Sequence, residues 1–134
     1  MKEYFRNLGN YIVDIYGASD RIQIMCEMKE LQLDVDTAIP IGLIVNELLT
    51  NSLKYAFPEN RKGLIKISLV ASGNQLHLDV SDNGIGRNYQ DKVQGTGFGT
   101  QLIDLLTRQL EGKMSLNIKK GTAVSFEFLN HKAA

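Results

Sequence analysis

The chain has 134 residues, enough for one domain with its own core and too few for two. Fifteen basic and fifteen acidic residues cancel, so no net field draws the chain to nucleic acid or to an anionic membrane, and any anion it binds must be captured by local geometry. The single Cys26 rules out an internal disulfide and fits a reducing compartment. No apolar run reaches membrane-spanning length and the polar start, MKEYFRN, is unlike a signal sequence, so a cytoplasmic setting is expected.

Phe5, Leu8, Ile12 and Ile15 recur at helical spacing and predict an amphipathic first helix that Gly17 ends. Residues 21–28 alternate through Ile22, Ile24, Cys26 and Met28 as a strand does, and 31–35 fit a second, short strand. The longest helix is expected over 36–57. Asp36 or Thr37 can cap it, Pro40 falls in its first turn where a missing N–H matters little, and Pro58 stops it. Two strands follow around the turn Ser72-Gly73-Asn74-Gln75, with core faces Ile65, Ile67, Leu69 and then Leu76, Leu78, Val80. After a polar, glycine-rich stretch comes a helix at about 100–111, with Leu102, Ile103, Leu106 and Leu110 inward and Gly112 as its stop. A hairpin of 113–119 and 122–129, turning at Lys120-Gly121, closes the chain. Strands and helices mix without regular βαβ alternation. The expected fold class is therefore α+β, a two-layer sandwich with a mixed, mostly antiparallel sheet and helices packed on one face.

Chemistry concentrates in four places. On the long helix Glu47, Thr50, Asn51 and Lys54 share one sector, opposite an arc of Ile41, Ile44, Val45, Leu48, Leu49, Leu53 and Ala56. A solvated helix face is the plain alternative, but the stripe mixes a carboxylate, an amide and an amine, and its oxygens are of the type that magnesium prefers. Asp82-Asn83-Gly84-Ile85-Gly86 follows the second strand of the central pair. Strand parity puts Asp82 on the core face, where a carboxylate needs a hydrogen-bonding partner such as a purine amino group and a bound water; an ordinary turn is the alternative. Gly95-Thr96-Gly97-Phe98-Gly99 opens into a helix, so its backbone N–H groups and the helix start can cradle phosphate. Neither a Walker loop nor a dinucleotide fingerprint fits it. Thr122 shares a face with Val124, Phe126 and Phe128 and points a hydroxyl toward Asp82 if their strands are neighbours; the alternative is a β-branched core residue with its hydroxyl satisfied.

Taken in order, Asn46-Glu47-Leu48-Leu49-Thr50-Asn51-Ser52-Leu53-Lys54-Tyr55-Ala56-Phe57-Pro58, then Asp82 to Gly86, then Gly95 to Gly99, then Gly121-Thr122, the sequence resembles the catalytic ATP-binding domain of two-component sensor histidine kinases. These belong to the Bergerat-fold ATPase superfamily that also holds DNA gyrase B, the mismatch-repair ATPases and the large heat-shock chaperone. With 37–42 preceding, the first motif is most similar to a subfamily with an alternative type of phosphoacceptor domain. The resemblance implies that Glu47 orients or deprotonates the attacking nucleophile and that Asn51 ligates Mg²⁺ through its side-chain oxygen. It sets Lys54 and Tyr55 near the phosphates and makes Asp82 the acceptor of the adenine amino hydrogen. Gly84 and Gly86 would shape the adenine-side wall, Gly95, Thr96, Gly97, Phe98 and Gly99 the phosphate loop, and Thr122 would share an adenine-side water with Asp82. The implied ligands are ATP and Mg²⁺.

The phosphoacceptor histidine of such kinases sits on a helix of a separate dimerisation domain. His77 lies on the outward parity of a strand and His131 near the last residue, and neither has that context. The expected layout is a first helix at 1–20 linking to a phosphoacceptor domain outside this sequence, a catalytic domain at 21–130 and a short tail at 131–134. The expected activity is transfer of the γ-phosphoryl group of Mg-ATP to a histidine on that domain, with a response regulator downstream. The alternatives are a serine kinase of the anti-sigma type, an ATPase machine of the gyrase kind and a non-catalytic nucleotide sensor.

Overall fold

In a computed structural model, residues 2–28, 31, 33–57, 61–84, 98–119 and 121–129 are described. Helix α1 spans Lys2–Ile15, strand β1 Ile22–Glu27 and helix α2 Val35–Asn51, which runs on into a π-helical turn, Ser52–Ala56. Strands β2, Gly63–Ser72, and β3, Gln75–Asp82, form a hairpin. Helix α3, Phe98–Gln109, and a second hairpin of β4, Lys113–Lys119, and β5, Gly121–Leu129, complete the described chain.

The five strands make one sheet in the order β1-β2-β3-β5-β4. The β1–β2 pair is parallel and the other three pairs are antiparallel. This is the mixed, mostly antiparallel sheet expected. The parallel pair arises because α2 crosses between β1 and β2, where a tight hairpin turn could only have made the pair antiparallel. Because side chains alternate with period two, β2, β3 and β5 each turn one apolar face to the helices: Ile65, Ile67 and Leu69 meet Leu76, Leu78 and Val80, which meet Val124, Phe126 and Phe128, all nearly inaccessible to solvent. Ile41, Ile44, Val45, Leu48, Leu49 and Leu53 of the long helix, with Ile103, Leu106 and Leu110 of α3, cover that face. Helix α1 belongs to the same layer. Its Phe5, Ile12 and Val13 are buried in the common core, while the lack of a side chain at Gly9 leaves room for Ile24 and that at Gly42 leaves room for Tyr4.

Several local expectations are corrected. The N-cap of α2 is Asp34, whose side chain accepts from the Thr37 N–H at 3.1 Å, so the helix starts one residue before Asp36 and neither Asp36 nor Thr37 is the cap. That cap pre-empts the short strand expected at 31–35: Val35 is already helical, and Leu31 and Leu33 pack against the core rim outside any ladder. Helix α3 begins at Phe98, two residues earlier than expected, and ends without a left-handed Gly112. Glu111 takes the positive φ of 54°, and the N–H groups of Glu111 and Gly112 bond back to the carbonyls of Arg108 and Thr107 at 3.0 and 2.9 Å. Gly112 is needed for space, since a Cβ there would lie 2.4 Å from the Phe128 ring. Strand β5 begins at Gly121 rather than Thr122. Among the described residues no helix is long and apolar enough to cross a membrane.

Candidate functional site

Asp82 ends β3 on the helix-facing side of the sheet. Register sets it opposite Ile65 of β2 and Thr122 of β5, the neighbour relation that strand parity required. It is 8% exposed. Its two carboxylate oxygens are held from different directions: Oδ2 accepts from the Ser52 hydroxyl at 2.9 Å, and Oδ1 accepts from the Gly84 N–H at 2.9 Å. Burial pushes this carboxyl up from its ordinary range, against the opposing pull of hydrogen bonds from the Gly84 backbone, the Ser52 hydroxyl and the Thr122 backbone and of the Arg61 charge.

Neighbouring contacts explain why the chain can leave the sheet here. Asn83 closes the end of the β2–β3 ladder, its side-chain oxygen accepting from the Leu64 N–H at 2.8 Å and its own N–H reaching the Leu64 carbonyl at 3.2 Å. Gly121 enters β5 at φ 110°, and a Cβ there would sit 2.1 Å from the Asp82 carbonyl oxygen. The backbone of β5 is thereby pressed against that of Asp82, which brings Thr122 alongside the carboxylate.

Two buried polar atoms have no hydrogen-bond partner among the described residues: Thr122 Oγ1 and Asn51 Nδ2. Thr122 is 3% exposed and Asn51 6%. No described protein group satisfies the Thr122 hydroxyl. Buried polar groups are nearly always paired, and an exception marks hydrogen-bonding capacity left for something else. Thr122 is the register partner of Asp82 across the sheet, and Asn51, at the end of α2, precedes the Ser52 that bonds Asp82.

The remaining expected site residues fall as follows. Glu47 and Thr50 are half-buried on α2, one turn and one residue before Asn51, and Lys54 is exposed in the π turn, where Tyr55 also lies. Gly84 is buried beside Asp82. Phe98 and Gly99 form the start of α3, while Gly86, Gly95, Thr96 and Gly97 lie outside the described residues. His77 is on the outward face of the sheet, 3.7 Å from Glu127, and His131 lies outside the described residues. Cys26 is free and half-buried, and burial pushes its thiol up, away from nucleophilic chemistry. An open groove of about 840 Å³ between α1 and the β1 edge, lined among others by Arg6, Tyr11, Met25 and Cys26, contains none of the expected site residues.

Sequence reasoning missed Ser52. The signal was available: at 100° per residue Ser52 falls in the middle of the apolar arc of Leu48, Leu49 and Leu53, and a hydroxyl placed there needs a buried partner.

The donor set fits a magnesium nucleotide. Among the described residues no group of three or more His, Cys, Asp or Glu gathers to hold a metal alone, whereas Mg²⁺ in nucleotide sites takes one or two protein oxygens and fills its sphere with phosphate and water. The atom of Asn51 without a partner is Nδ2, a donor that binds no cation, so the fit rests on the chemistry of its carboxamide oxygen and of the Glu47 carboxylate one turn away.

The sequence profile of the histidine kinase-, DNA gyrase B-, and HSP90-like ATPase family matches residues 36–132. The chain is 36% identical over 122 residues to blue-light-activated histidine kinase 2 of Erythrobacter litoralis, covering 85% of this chain and 35% of that protein. It is 33% identical over 66 residues to an anti-sigma F factor of Clostridium kluyveri, covering 49% of this chain and 46% of that one. The chain thus spans only a third to a half of the length of these relatives. Its fold superposes on the histidine kinase domain of the Erythrobacter litoralis EL346 blue-light activated histidine kinase with a TM-score of 0.85 and 26% identity, covering 98% of this chain and 62% of that one. The chain belongs to the family of histidine kinase-, DNA gyrase B-, and HSP90-like ATPases.

Proposed function

We propose that this domain binds Mg-ATP and transfers its γ-phosphoryl group to a histidine on a separate dimerisation and phosphoacceptor domain, within two-component signalling in the cytoplasm. The observation that carries the reading is the buried carboxylate of Asp82 with the unpartnered Thr122 Oγ1 opposite it across the sheet. Asp82 accepts the adenine amino hydrogen, and Thr122 shares a water with it. Asn51, through its side-chain oxygen, would hold magnesium, which neutralises phosphate charge when bound. The backbone N–H groups of 95–99 and the start of α3 favour the phosphates, with Lys54 and Tyr55 beside them. Gly84 and Gly86 keep the wall next to the base low. Glu47, one turn before Asn51, orients the acceptor imidazole or takes its proton. Phosphoryl transfer asks little covalent chemistry of a protein, so positioning and charge stabilisation by these groups suffice.

In this proposal α1 is the link to the acceptor domain. It is anchored by Phe5, Ile12 and Val13 and yet keeps Tyr4, Tyr11 and Ile15 49%, 65% and 60% exposed along one face. A second reading, transfer to a serine of a partner protein, draws on the similarity to the anti-sigma F factor. Radiolabelled ATP with a supplied acceptor domain separates the two, because phosphohistidine is acid-labile and base-stable and phosphoserine the reverse. Calorimetric titration with Mg-ATP tests the common premise: no heat and no saturation at millimolar nucleotide would end both readings.

A further inference from the structure

We propose that Ser52 is a positioning residue for base recognition: its hydroxyl fixes the Asp82 carboxylate as an acceptor and thereby sets the preference for a purine carrying an amino group. This rests on the reading of Asp82 as the adenine contact.

Ser52 is 4% exposed and stands where α2 passes into the π-helical turn, its N–H shared between the carbonyls of Leu48 and Leu49. That placement turns the side chain toward the sheet among Leu48, Leu49 and Leu53. A hydroxyl has one proton to give, and that of Ser52 goes to Asp82 Oδ2 at 2.9 Å. The second restraint, from Gly84 N–H to Oδ1, comes from the chain leaving β3. Donors on opposite oxygens, one from the helical layer and one from the loop, fix the plane of the carboxylate. Each oxygen keeps a further lone pair for a ligand. Loss of the Ser52 donor leaves the carboxylate held from the backbone of Gly84 and Thr122 alone, frees it from the helical layer, and removes a donor that favours its charged, acceptor-only form.

Asn51 and Ser52 are consecutive, so the residue assigned to the metal and the residue that aims the base contact share one turn of backbone. A role confined to packing predicts equal losses for every nucleotide. A role in base recognition predicts losses only where an amino group is read.

The test is calorimetric titration of wild type, Ser52→Ala and Ser52→Thr with Mg-ATP and with Mg-ITP, which replaces the purine amino group by a carbonyl, alongside melting curves without ligand. Wild type should prefer ATP to ITP by at least about 30-fold. Ser52→Ala should melt cooperatively, bind ATP about tenfold more weakly and bind ITP as wild type does, so that the preference narrows. Ser52→Thr, which keeps the donor, should restore it. Equal weakening toward both nucleotides, or ATP affinity unchanged in Ser52→Ala, would overturn the role of Ser52 while leaving the function intact. A wild type that does not distinguish ATP from ITP would instead overturn the reading of Asp82. Should Ser52→Thr prove too bulky to fold, Ser52→Cys, close in size to serine but a weaker donor, should give a preference between those of wild type and Ser52→Ala; a preference no greater than that of Ser52→Ala would count against the proposal.

Discussion

Replacing Thr122 by valine should make the protein more stable and a poorer binder of ATP. The side chain is 3% exposed and its Oγ1 has no partner among the described residues. Burying a hydroxyl without a hydrogen bond costs about 1–3 kcal/mol in protein mutational data, and valine keeps the branched shape while removing it. A gain of about 1–2 kcal/mol is therefore expected in the free protein. Unfolding entropy is about 2.1 cal/mol/K per residue, roughly 0.28 kcal/mol/K for this chain, so Tm should rise by about 4–7 °C. In the complex the same hydroxyl gains a partner. Its loss removes a hydrogen bond worth about 0.5–1.5 kcal/mol, a two- to twelvefold weakening of about that order. Melting curves with and without Mg-ATP, together with calorimetric titration, read both signs in one variant. A fall in Tm would show that the hydroxyl is satisfied within the protein, and unchanged ATP affinity would show that no ligand uses it.

Asp82→Asn should weaken ATP binding at least about 100-fold, because an amide N–H then faces the purine amino group where a charged acceptor stood. Burial raises the Asp82 pKa on folding, so its ionised form counts against the fold: the favourable contribution is complete below the unfolded value near 4 and is lost as pH rises through the folded value. In melting curves across pH without ligand, Asp82→Asn should accordingly gain on wild type as pH rises from about 4 toward neutral, and a widening deficit with pH would contradict the assignment. Gly121→Ala combines φ 110° with a Cβ 2.1 Å from the Asp82 carbonyl oxygen, so a loss of about 2–4 kcal/mol and weaker ATP binding are expected by denaturant titration and calorimetry. Glu47→Ala should leave ATP affinity within about threefold while slowing transfer to a supplied acceptor domain by 100-fold or more, roughly the share of a general base, as read by single-turnover phosphorylation.

The parts of this molecule that were legible in its sequence are those governed by fixed periods. Strand alternation grouped Leu76, Leu78, Val80 and Asp82 on one side of β3 and Thr122, Val124, Phe126 and Phe128 on one side of β5, and the register sets both groups on the same face with Asp82 against Thr122. Helical spacing separated the buried arc of α2 from the sector of Glu47, Thr50, Asn51 and Lys54, except that Asn51 is itself buried. What escaped depends on competition between near-equal local choices. Asp34, Asp36 and Thr37 are all good caps, and which one wins depends on where the chain arrives from β1. Glu111 and Gly112 compete for one left-handed position, and the Phe128 ring decides by needing the space beside Gly112. The π turn at Ser52–Ala56 has no side-chain signature distinct from an α-helix, so the bond from Ser52 to Asp82 emerged only with three-dimensional placement.

The central claim is that one nucleotide is held at its base by Asp82 and at its phosphates through Asn51. A crystal structure of the domain with magnesium and a non-hydrolysable ATP analogue tests it most directly. The account predicts the purine amino nitrogen about 3 Å from the Asp82 carboxylate and the metal about 2.1 Å from Asn51 Oδ1. A nucleotide seated elsewhere, or a base that turns its amino group away from Asp82, would contradict it.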